Sequence, residues 1–217
     1  MFISLEGGEG AGKTTQMVGL AEWLRARGGG WTLTREPGGT ALGRSIRALL
    51  LDPANRGMAP ETELMLYMAD RAEHVHHVIA PALAAGRGVL CDRFFDATIV
   101  YQGFARGLPA DRLRELHRLV LADLRPQLTL LLDLAPEVGL ARARGELARG
   151  GRAQAESRFE HEALEFHRRV REGYLRLAQE EPERFRVVDA ARDAEQVQED
   201  LRGAVAGFLA RPGQAAP

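Results

Sequence analysis

A glycine-rich loop near the start of the chain limits the possible folds more than any other feature. Residues 7–14 read GGEGAGKT, which matches the pattern G-x-x-x-x-G-K-[ST]. The loop follows an apolar run, FISLEG, and precedes a helical pattern that begins at residue 13. In this arrangement, backbone N–H groups and the helix N-terminus can face phosphate oxygens. The sequence therefore predicts a phosphate-binding loop at the carboxyl end of a buried strand.

The residues of this loop predict a site for ATP and Mg²⁺. Lys13 is expected to reach the β- and γ-phosphates, and the Thr14 hydroxyl is expected to bind Mg²⁺. Lys13 is the only lysine among 29 basic residues, and a compact ammonium group is not interchangeable with a planar guanidinium at a tight site. The predicted ATP-binding residues are Gly7, Gly8, Glu9, Gly10, Ala11, Gly12, Lys13, Thr14 and Thr15.

Apolar runs alternate with amphipathic segments along the rest of the chain. The predicted strands are 2–7, 31–37, 88–93, 128–134 and 184–190, and the predicted helices are 13–27, 40–51, 60–85, 109–124, 136–148, 156–180 and 193–210. This alternation favours an α/β fold in which helices cover both faces of a parallel sheet. We predict the P-loop NTPase fold, with three α/β/α layers, a five-stranded parallel sheet and one domain over residues 1–217. We also predict a mobile arginine-rich lid at about 142–158 and a flexible tail at 210–217.

Composition excludes several classes of partner. The formal net charge is −1, so the chain as a whole offers no basic surface for nucleic acid or for an anionic membrane. The single cysteine, Cys91, excludes an internal disulfide and a cysteine-based zinc site. No apolar stretch approaches the roughly 20 residues that span a bilayer, and the N-terminus shows no secretory signal. We expect a cytoplasmic protein.

Arginines at two strand ends indicate a second anion near the glycine loop. Arg35 and Arg93 follow predicted strands, so both are expected at the sheet edge that carries the loop. Arginine forks suit phosphate oxygens, although salt bridges to Glu36 and Asp92 are an alternative. We predict that Asp92 holds a Mg²⁺-bound water. Asp133 could imitate the magnesium site of a motor or transport ATPase, but is more typical of a strand end or helix cap.

Other P-loop classes fit less well. The chain cannot contain the Asn-Lys-x-Asp motif of guanine-nucleotide switches, because its only lysine lies in the glycine loop. A kinase for another nucleotide or a deoxynucleoside remains an alternative, as does a non-catalytic ATP-dependent switch. His74, His76 and His77 lie close together, but only the first and last have helical i,i+3 spacing and no third metal ligand is evident.

Four motifs together resemble the thymidylate kinase family. They are EGGEGAGKTT, REPGGT at 35–40, YMADRAEH at 67–74 and DRFFDATIVYQG at 92–103, in the order and spacing of that family. The similarity extends over nearly the whole chain. It implies transfer of the γ-phosphoryl group of MgATP to dTMP, giving dTDP and ADP, and a homodimer formed by helix packing. An apolar stripe in 60–85 or 109–124 could supply that interface.

The resemblance also implies which residues bind dTMP. Glu9 would meet the sugar 3′-hydroxyl, and Tyr101 would crowd the 2′ position. Tyr67 stands where the family usually has a phenylalanine that stacks on thymine, and Arg71, four residues later on the same helix face, would bond to the base. Without the resemblance, Tyr67 and Tyr101 could be packing residues and Arg71 a salt-bridge partner of flanking acids. The implied dTMP-binding residues are Glu9, Arg35, Pro37, Tyr67, Arg71, Arg93, Thr98, Tyr101 and Gln102.

The arginine-rich segment is interpreted as a lid. The glycine loop has no basic residue at its variable positions, and bacterial thymidylate kinases of this kind supply an arginine from the lid instead. The stretch LARGGRAQAESRFE is longer than the usual family pattern, and Arg158 matches the arginine of its D-R-x-E motif, with Ser157 in place of aspartate. A solvated basic loop is the alternative interpretation. The predicted catalytic residues are Lys13, Arg93, Arg149 and Arg152, and no general base is required because the acceptor is already an anion.

Overall fold

A computed structural model describes residues 1–28, 30–122, 124–150 and 154–211. Within these ranges, five parallel strands form one sheet in the order β2-β3-β1-β4-β5. The strands are β1 Phe2–Gly7, β2 Trp31–Arg35, β3 Gly88–Asp92, β4 Leu128–Asp133 and β5 Phe185–Asp189. The predicted α/β fold and its five parallel strands are confirmed.

Two of the helices begin at a capping side chain that the sequence carries. Thr40 accepts a hydrogen bond from Gly43 N, and Asp193 caps the last helix through Glu195 N and Gln196 N. The helices in the described residues are α1 Lys13–Ala26, α2 Ala41–Leu51, α3 Pro60–His74, α4 Ala80–Ala84, α5 Phe95–Thr98, α6 Ala110–Leu121, α7 Pro136–Ala148, α8 Leu164–Glu180 and α9 Ala194–Leu209. Wider π-helical turns cover Val75–Ile79 and Ile99–Ala105, and 3₁₀ turns cover Pro53–Asn55, Gln154–Glu156 and Phe159–His161.

Alternation along the strands divides the core between the two faces of the sheet. In β1, Ile3 and Leu5 pack with α1 and α9 on one face, whereas Phe2 packs with the α4 region on the other. The second face also carries the core beneath α2, α3 and α8. The three layers follow from this alternation, because each face of the sheet must be covered by helices.

The strand order places a site at the carboxyl end of β1. From β1 the chain moves to β2 and returns through β3, whereas β4 and β5 lie on the other side of β1. Ligands bind at such a reversal of strand order in open α/β sheets. The glycine loop leaves β1 at this point.

Three helical segments differ from their predicted extents. The predicted helix 60–85 is divided by the π-helical turn Val75–Ile79, and the predicted helix 156–180 begins only at Leu164. The chain before Leu164 is fixed instead by buried contacts, including the bond from Arg158 N to Leu51 O. The helical segment from Phe95 to Ala105 was not predicted at all. Among the described residues, no helix is long and apolar enough to cross a bilayer.

Candidate active site

A cavity of about 530 Å³ opens at the carboxyl edge of the sheet. It brings together most of the residues that the sequence singled out. Its lining includes Glu9, Gly10, Ala11, Gly12, Lys13, Thr14, Thr15, Arg35, Pro37, Tyr67, Arg71, Asp92, Arg93, Thr98, Tyr101 and Gln102. Gly7 ends β1, and Gly8 lines a separate small cavity, so neither belongs to this lining.

The glycine loop depends on a close contact with α7. Gly10 has a φ of 68°, which favours glycine, and a Cβ at this position would lie 2.0 Å from the carbonyl oxygen of Gly139. A Cβ on Gly139 would lie 2.2 Å from the carbonyl oxygen of Glu9. The two backbones therefore touch, and α7 fixes the position of the loop.

Replacing Gly139 with alanine should displace the loop and lower the free energy of unfolding by about 1–3 kcal/mol, as overpacking does. The matched control is Gly145→Ala on the same helix, where the new Cβ would face only the end of the Arg149 side chain at 3.3 Å. That control should be neutral or slightly stabilising, because alanine favours helix more than glycine. Urea unfolding of both variants tests the contact, and equal stabilities would contradict it.

Lys13 closes the loop on itself. Its Nζ donates to Gly7 O at 3.0 Å and to Gly8 O at 2.8 Å. Burial and the neighbouring Arg93 guanidinium lower the pKa of Lys13 to about 8, despite the nearby carboxylates of Glu9 and Asp92. A lysine with this pKa is still charged at pH 7, and so presents a partly desolvated cation to the cavity.

Arg93 links the glycine loop to the side chains of Tyr101 and Tyr174. Its Nη2 donates to Glu9 Oε1 at 3.0 Å, and its Nη1 donates to the Tyr174 hydroxyl at 3.1 Å. The guanidinium also lies over the ring of Tyr101, 5.0 Å from its centroid, while the Tyr101 hydroxyl donates to Glu9 Oε1. Its backbone has a φ of 67°, which is rare for a residue other than glycine and marks a specially held position.

Two buried groups, Glu6 and Tyr174, lie beneath Arg93, and the sequence analysis did not identify Tyr174. Glu6 Oε1 accepts from Phe94 N at 2.8 Å, and Glu6 Oε2 accepts from the Tyr174 hydroxyl at 2.7 Å. Burial and the nearby Asp96 carboxylate raise the pKa of Glu6 to about 8. Tyr174 thus connects a carboxyl in the sheet to the guanidinium in the cavity. The buried acid directly before the glycine loop, in FISLEG, was the only available signal.

The Arg71 side chain is held by a buried network. Its Nε donates to Glu36 Oε2 at 2.7 Å, and its Nη1 donates to Thr98 Oγ1 at 2.9 Å. Glu36 also pairs with His74 Nδ1 at 2.9 Å, and His74 Nε2 contacts Thr34 Oγ1. The salt-bridge partner of Arg71 is therefore Glu36 of REPGGT, not an acid beside it in the sequence. Since Arg71 also lines the cavity, the ion pair fixes its position there.

A second buried network holds Gln102. Its Nε2 donates to Glu63 Oε1 at 2.7 Å. Arg158 and Arg106 also bind the Glu63 carboxylate. Although burial raises the pKa of Glu63, these two arginines outweigh that effect and lower it below its usual value. Arg158, which the sequence placed in the lid, is instead fully buried and also donates to Leu50 O.

The histidines and Asp133 have structural partners. His74 is buried between Glu36 and Thr34, whereas His76 and His77 are in edge-to-face contact. In the part of the chain that the structure describes, no group of three or more histidine, cysteine, aspartate or glutamate side chains is arranged to hold a metal ion. Asp133 makes a two-bond pair with Arg171, at 2.7 and 2.8 Å. This contact agrees with the interpretation of Asp133 as a structural residue at the end of a strand.

The residues predicted to hold Mg²⁺ fit that ion. Thr14 and Asp92 line the same cavity as Lys13. Within the described residues, Asp92 Oδ1 is buried and has no hydrogen-bond partner. A buried carboxylate oxygen of this kind is a suitable ligand for Mg²⁺ or for one of its waters.

The structure describes one of the two lid arginines that were predicted to be catalytic. Arg149 is exposed at the end of α7 and does not line the cavity, and Arg152 lies outside the described residues. The sequence analysis did not identify Arg47, which lines the cavity, donates to Pro37 O at 3.2 Å and pairs with Glu156 at 2.8 Å. The helical pattern of α2 does not distinguish Arg47 from the other arginine of that helix, so the sequence carried no signal for it.

Comparison with known proteins agrees with this geometry. The family model described as "Thymidylate kinase" matches residues 5–201. A thymidylate kinase of Desulfosudis oleivorans is 56% identical, over 91% of this chain and 92% of the relative. One of Desulfovibrio desulfuricans is 52% identical over 99% of each chain. The crystal structure of thymidylate kinase from Ehrlichia chaffeensis superposes with a TM-score of 0.75 and 33% identity, over 95% of this chain and 98% of the other. The chain therefore belongs to the thymidylate kinase family and is a phosphotransferase that uses ATP as its phosphate donor.

Proposed function

We propose that this enzyme transfers the γ-phosphoryl group of Mg²⁺-bound ATP to dTMP within the 530 Å³ cavity. The observation that supports this assignment most directly is the bridge formed by Arg93 and Glu9. Both residues line the cavity together with the glycine loop, which suits a nucleoside triphosphate, and with Arg71, Tyr67 and Gln102, which suit a pyrimidine. One cavity therefore has groups for both substrates.

The chain's own residues supply positioning and charge. Lys13 and the loop N–H groups would bind the ATP phosphates. Arg93, with its fork aimed between Glu9 and Tyr174, would orient the acceptor phosphate so that its oxygen can attack in line. Thr14 and Asp92 would hold Mg²⁺, which neutralises charge on the phosphate oxygens when bound. No side chain needs to remove a proton from the acceptor.

The function is tested by an ADP-release assay with MgATP and dTMP, dUMP, dCMP, dGMP or UMP. We expect strong turnover with dTMP, weaker turnover with dUMP, and about 10³-fold slower turnover of dTMP in a Lys13→Ala control. Turnover of a different monophosphate that depends on Lys13 would retain the loop assignment but reject that of the pyrimidine-binding residues. ATP binding without turnover of any of the five would contradict the proposal.

We propose that an arginine from the lid completes the site on closure, because the loop has no basic residue at its variable positions. Arg149→Ala or Arg152→Ala should then lower kcat at least tenfold, about 1.4 kcal/mol. Arg144→Ala is the matched control, since Arg144 is an exposed arginine of α7. The idea fails if both test variants keep kcat within tenfold of the wild-type value, measured at saturating ATP and dTMP.

We further propose a homodimer that buries the exposed apolar side chains of α2 and α3. Leu42 and Leu49, seven residues apart on α2, are 54% and 52% exposed, and Met65 on the adjoining α3 is 50% exposed. Leu49→Glu should convert the dimer to a monomer in light scattering coupled to size exclusion. Val138→Glu, on the 42% exposed residue of α7, is the control and should leave the mass unchanged. A monomeric wild type would reject this interface.

A further inference from the structure

We propose that Glu63 is a specificity-positioning residue: it fixes the Gln102 amide with its carbonyl toward the cavity, so that the site accepts thymine or uracil and rejects cytosine. This inference rests on the proposed function, and it adds a specific origin for base selection. Glu63 itself does not line the cavity. It would act through the amide that it holds.

The orientation of Gln102 follows from the charge of its partner. A carboxylate has only acceptors, so the Gln102 group that faces Glu63 must be the NH₂. The 2.7 Å contact from Nε2 to Glu63 Oε1 has this sense. Arg158 and Arg106 keep Glu63 ionised, as the direction of its pKa shift shows. Within the described ranges the Gln102 carbonyl oxygen accepts no hydrogen bond, and Gln102 lines the cavity.

The neighbouring groups on the same wall have the opposite polarity. Thr98 Oγ1 accepts from Arg71 Nη1 at 2.9 Å, so the Thr98 hydroxyl hydrogen is directed elsewhere. Arg71 also donates to Glu36 at 2.7 Å and, from Nη2, to Phe94 O at 3.2 Å, and its guanidinium carries only donors. Thr98 and Arg71 both line the cavity. The wall therefore combines donors from Arg71 and Thr98 with one acceptor, the Gln102 carbonyl oxygen.

This pattern matches one class of pyrimidine. Thymine and uracil carry a carbonyl at C4 and an N–H at N3, which complement a donor and an acceptor. Cytosine carries an amino group at C4 and an unprotonated N3, so both contacts would be mismatched. A site that leaves its buried polar groups unpaired with the wrong substrate discriminates strongly. The Gln102 amide must therefore be kept from rotating by about 180° if the site is to select thymine or uracil over cytosine.

Glu63→Gln tests the inference because it should reverse the orientation of the Gln102 amide. The oxygen of the new side chain would take the Oε2 position, where Arg158 Nη2 and Arg106 Nη2 both donate, in preference to Oε1, where Arg106 donates only from Nε at 3.3 Å. Its NH₂ would then occupy the Oε1 position, where Gln102 now donates. Gln102 would turn its carbonyl toward that NH₂ and present its own NH₂ to the cavity. We expect the ratio of kcat/KM for dTMP to kcat/KM for dCMP to fall at least tenfold, with an absolute increase for dCMP.

Arg106→Gln is the matched control. It removes an ion pair from the same Glu63 carboxylate but leaves the contact between Glu63 and Gln102 in place. This variant should keep the wild-type ratio even if it is less stable. If Glu63→Gln does not fold, the double variant Glu63→Gln/Arg106→Gln removes the unbalanced charge and carries the same expectation for the ratio.

The outcomes separate the two proposals. If the wild-type enzyme does not phosphorylate dTMP, the proposed function fails and the inference fails with it. If the wild-type enzyme prefers dTMP and the folded Glu63 variant keeps the full preference over dCMP, only the inference fails. An equal loss of discrimination in Arg106→Gln would also overturn it, because disruption of the cluster rather than amide orientation would then set specificity.

Discussion

Replacing Lys13 with alanine is expected to lower kcat for dTMP by about 10³-fold, roughly 4 kcal/mol of transition-state stabilisation. The ammonium lies among the carbonyls of Gly7 and Gly8 at the start of the phosphate loop. It can transfer to phosphate oxygens without a large movement of the chain. In the Lys13→Ala variant, the negative charge that develops on those oxygens in the transition state would lack its nearest compact cation. Single-turnover measurements at saturating ATP and dTMP report this loss directly.

Arginine should not rescue the Lys13 variant. Lys13→Arg keeps the charge, but a planar guanidinium is larger and cannot follow the compact ammonium into the gap between the loop carbonyls. The chain uses arginine for every other basic residue, so Lys13→Arg also tests whether that bias could extend to this position. Thermal melting should show that both variants remain folded. A Lys13→Ala enzyme that retains more than a tenth of wild-type kcat would contradict the assignment.

Local patterns were sufficient to predict the fold and the phosphate end of the site. The glycine loop needs a strand before it, a helix after it and glycine at positions such as Gly12, where φ is 86°. These requirements lie within one short stretch of sequence. The strand-end positions of Arg35 and Arg93 could likewise be read from the chain, because parallel strands bring their carboxyl ends to one edge.

The supporting contacts could not be predicted, because they join residues far apart in sequence. Arg158 reaches Glu63 across 95 positions, and Tyr174 reaches Glu6 across 168. Each partner alone is an ordinary residue of an amphipathic segment. Arg158 was consequently placed in the arginine-rich lid by its local sequence, whereas its tertiary contact with a buried carboxylate places it in the protein interior.

The helical segment that carries Thr98, Tyr101 and Gln102 was missed for a different reason. The run from Phe95 to Ala105 is almost continuously apolar or small, so it has no polar face that would reveal a helical period. Much of this run is a π-helical turn, whose wider repeat is rare and frequently occurs at functional sites. The roles of these residues came from family resemblance, and their placement at one wall came from the structure.

Replacing Arg93 with alanine should lower kcat by about 10²- to 10³-fold, close to the effect of removing one preorganised donor from a reacting oxyanion. Tyr174→Phe should have a smaller effect of about 2- to 10-fold, since it removes one hydrogen bond from the guanidinium and leaves the ring in place. Arg171→Ala is the control, because Arg171 pairs with Asp133 at the same sheet edge but does not line the main cavity. This graded order follows from the geometry: Arg93 would touch the acceptor phosphate, whereas Tyr174 would only hold Arg93 in place. Steady-state kcat for dTMP measures all three, and an Arg93→Ala enzyme within threefold of wild type would show that the bridge between Glu9 and Tyr174 is structural.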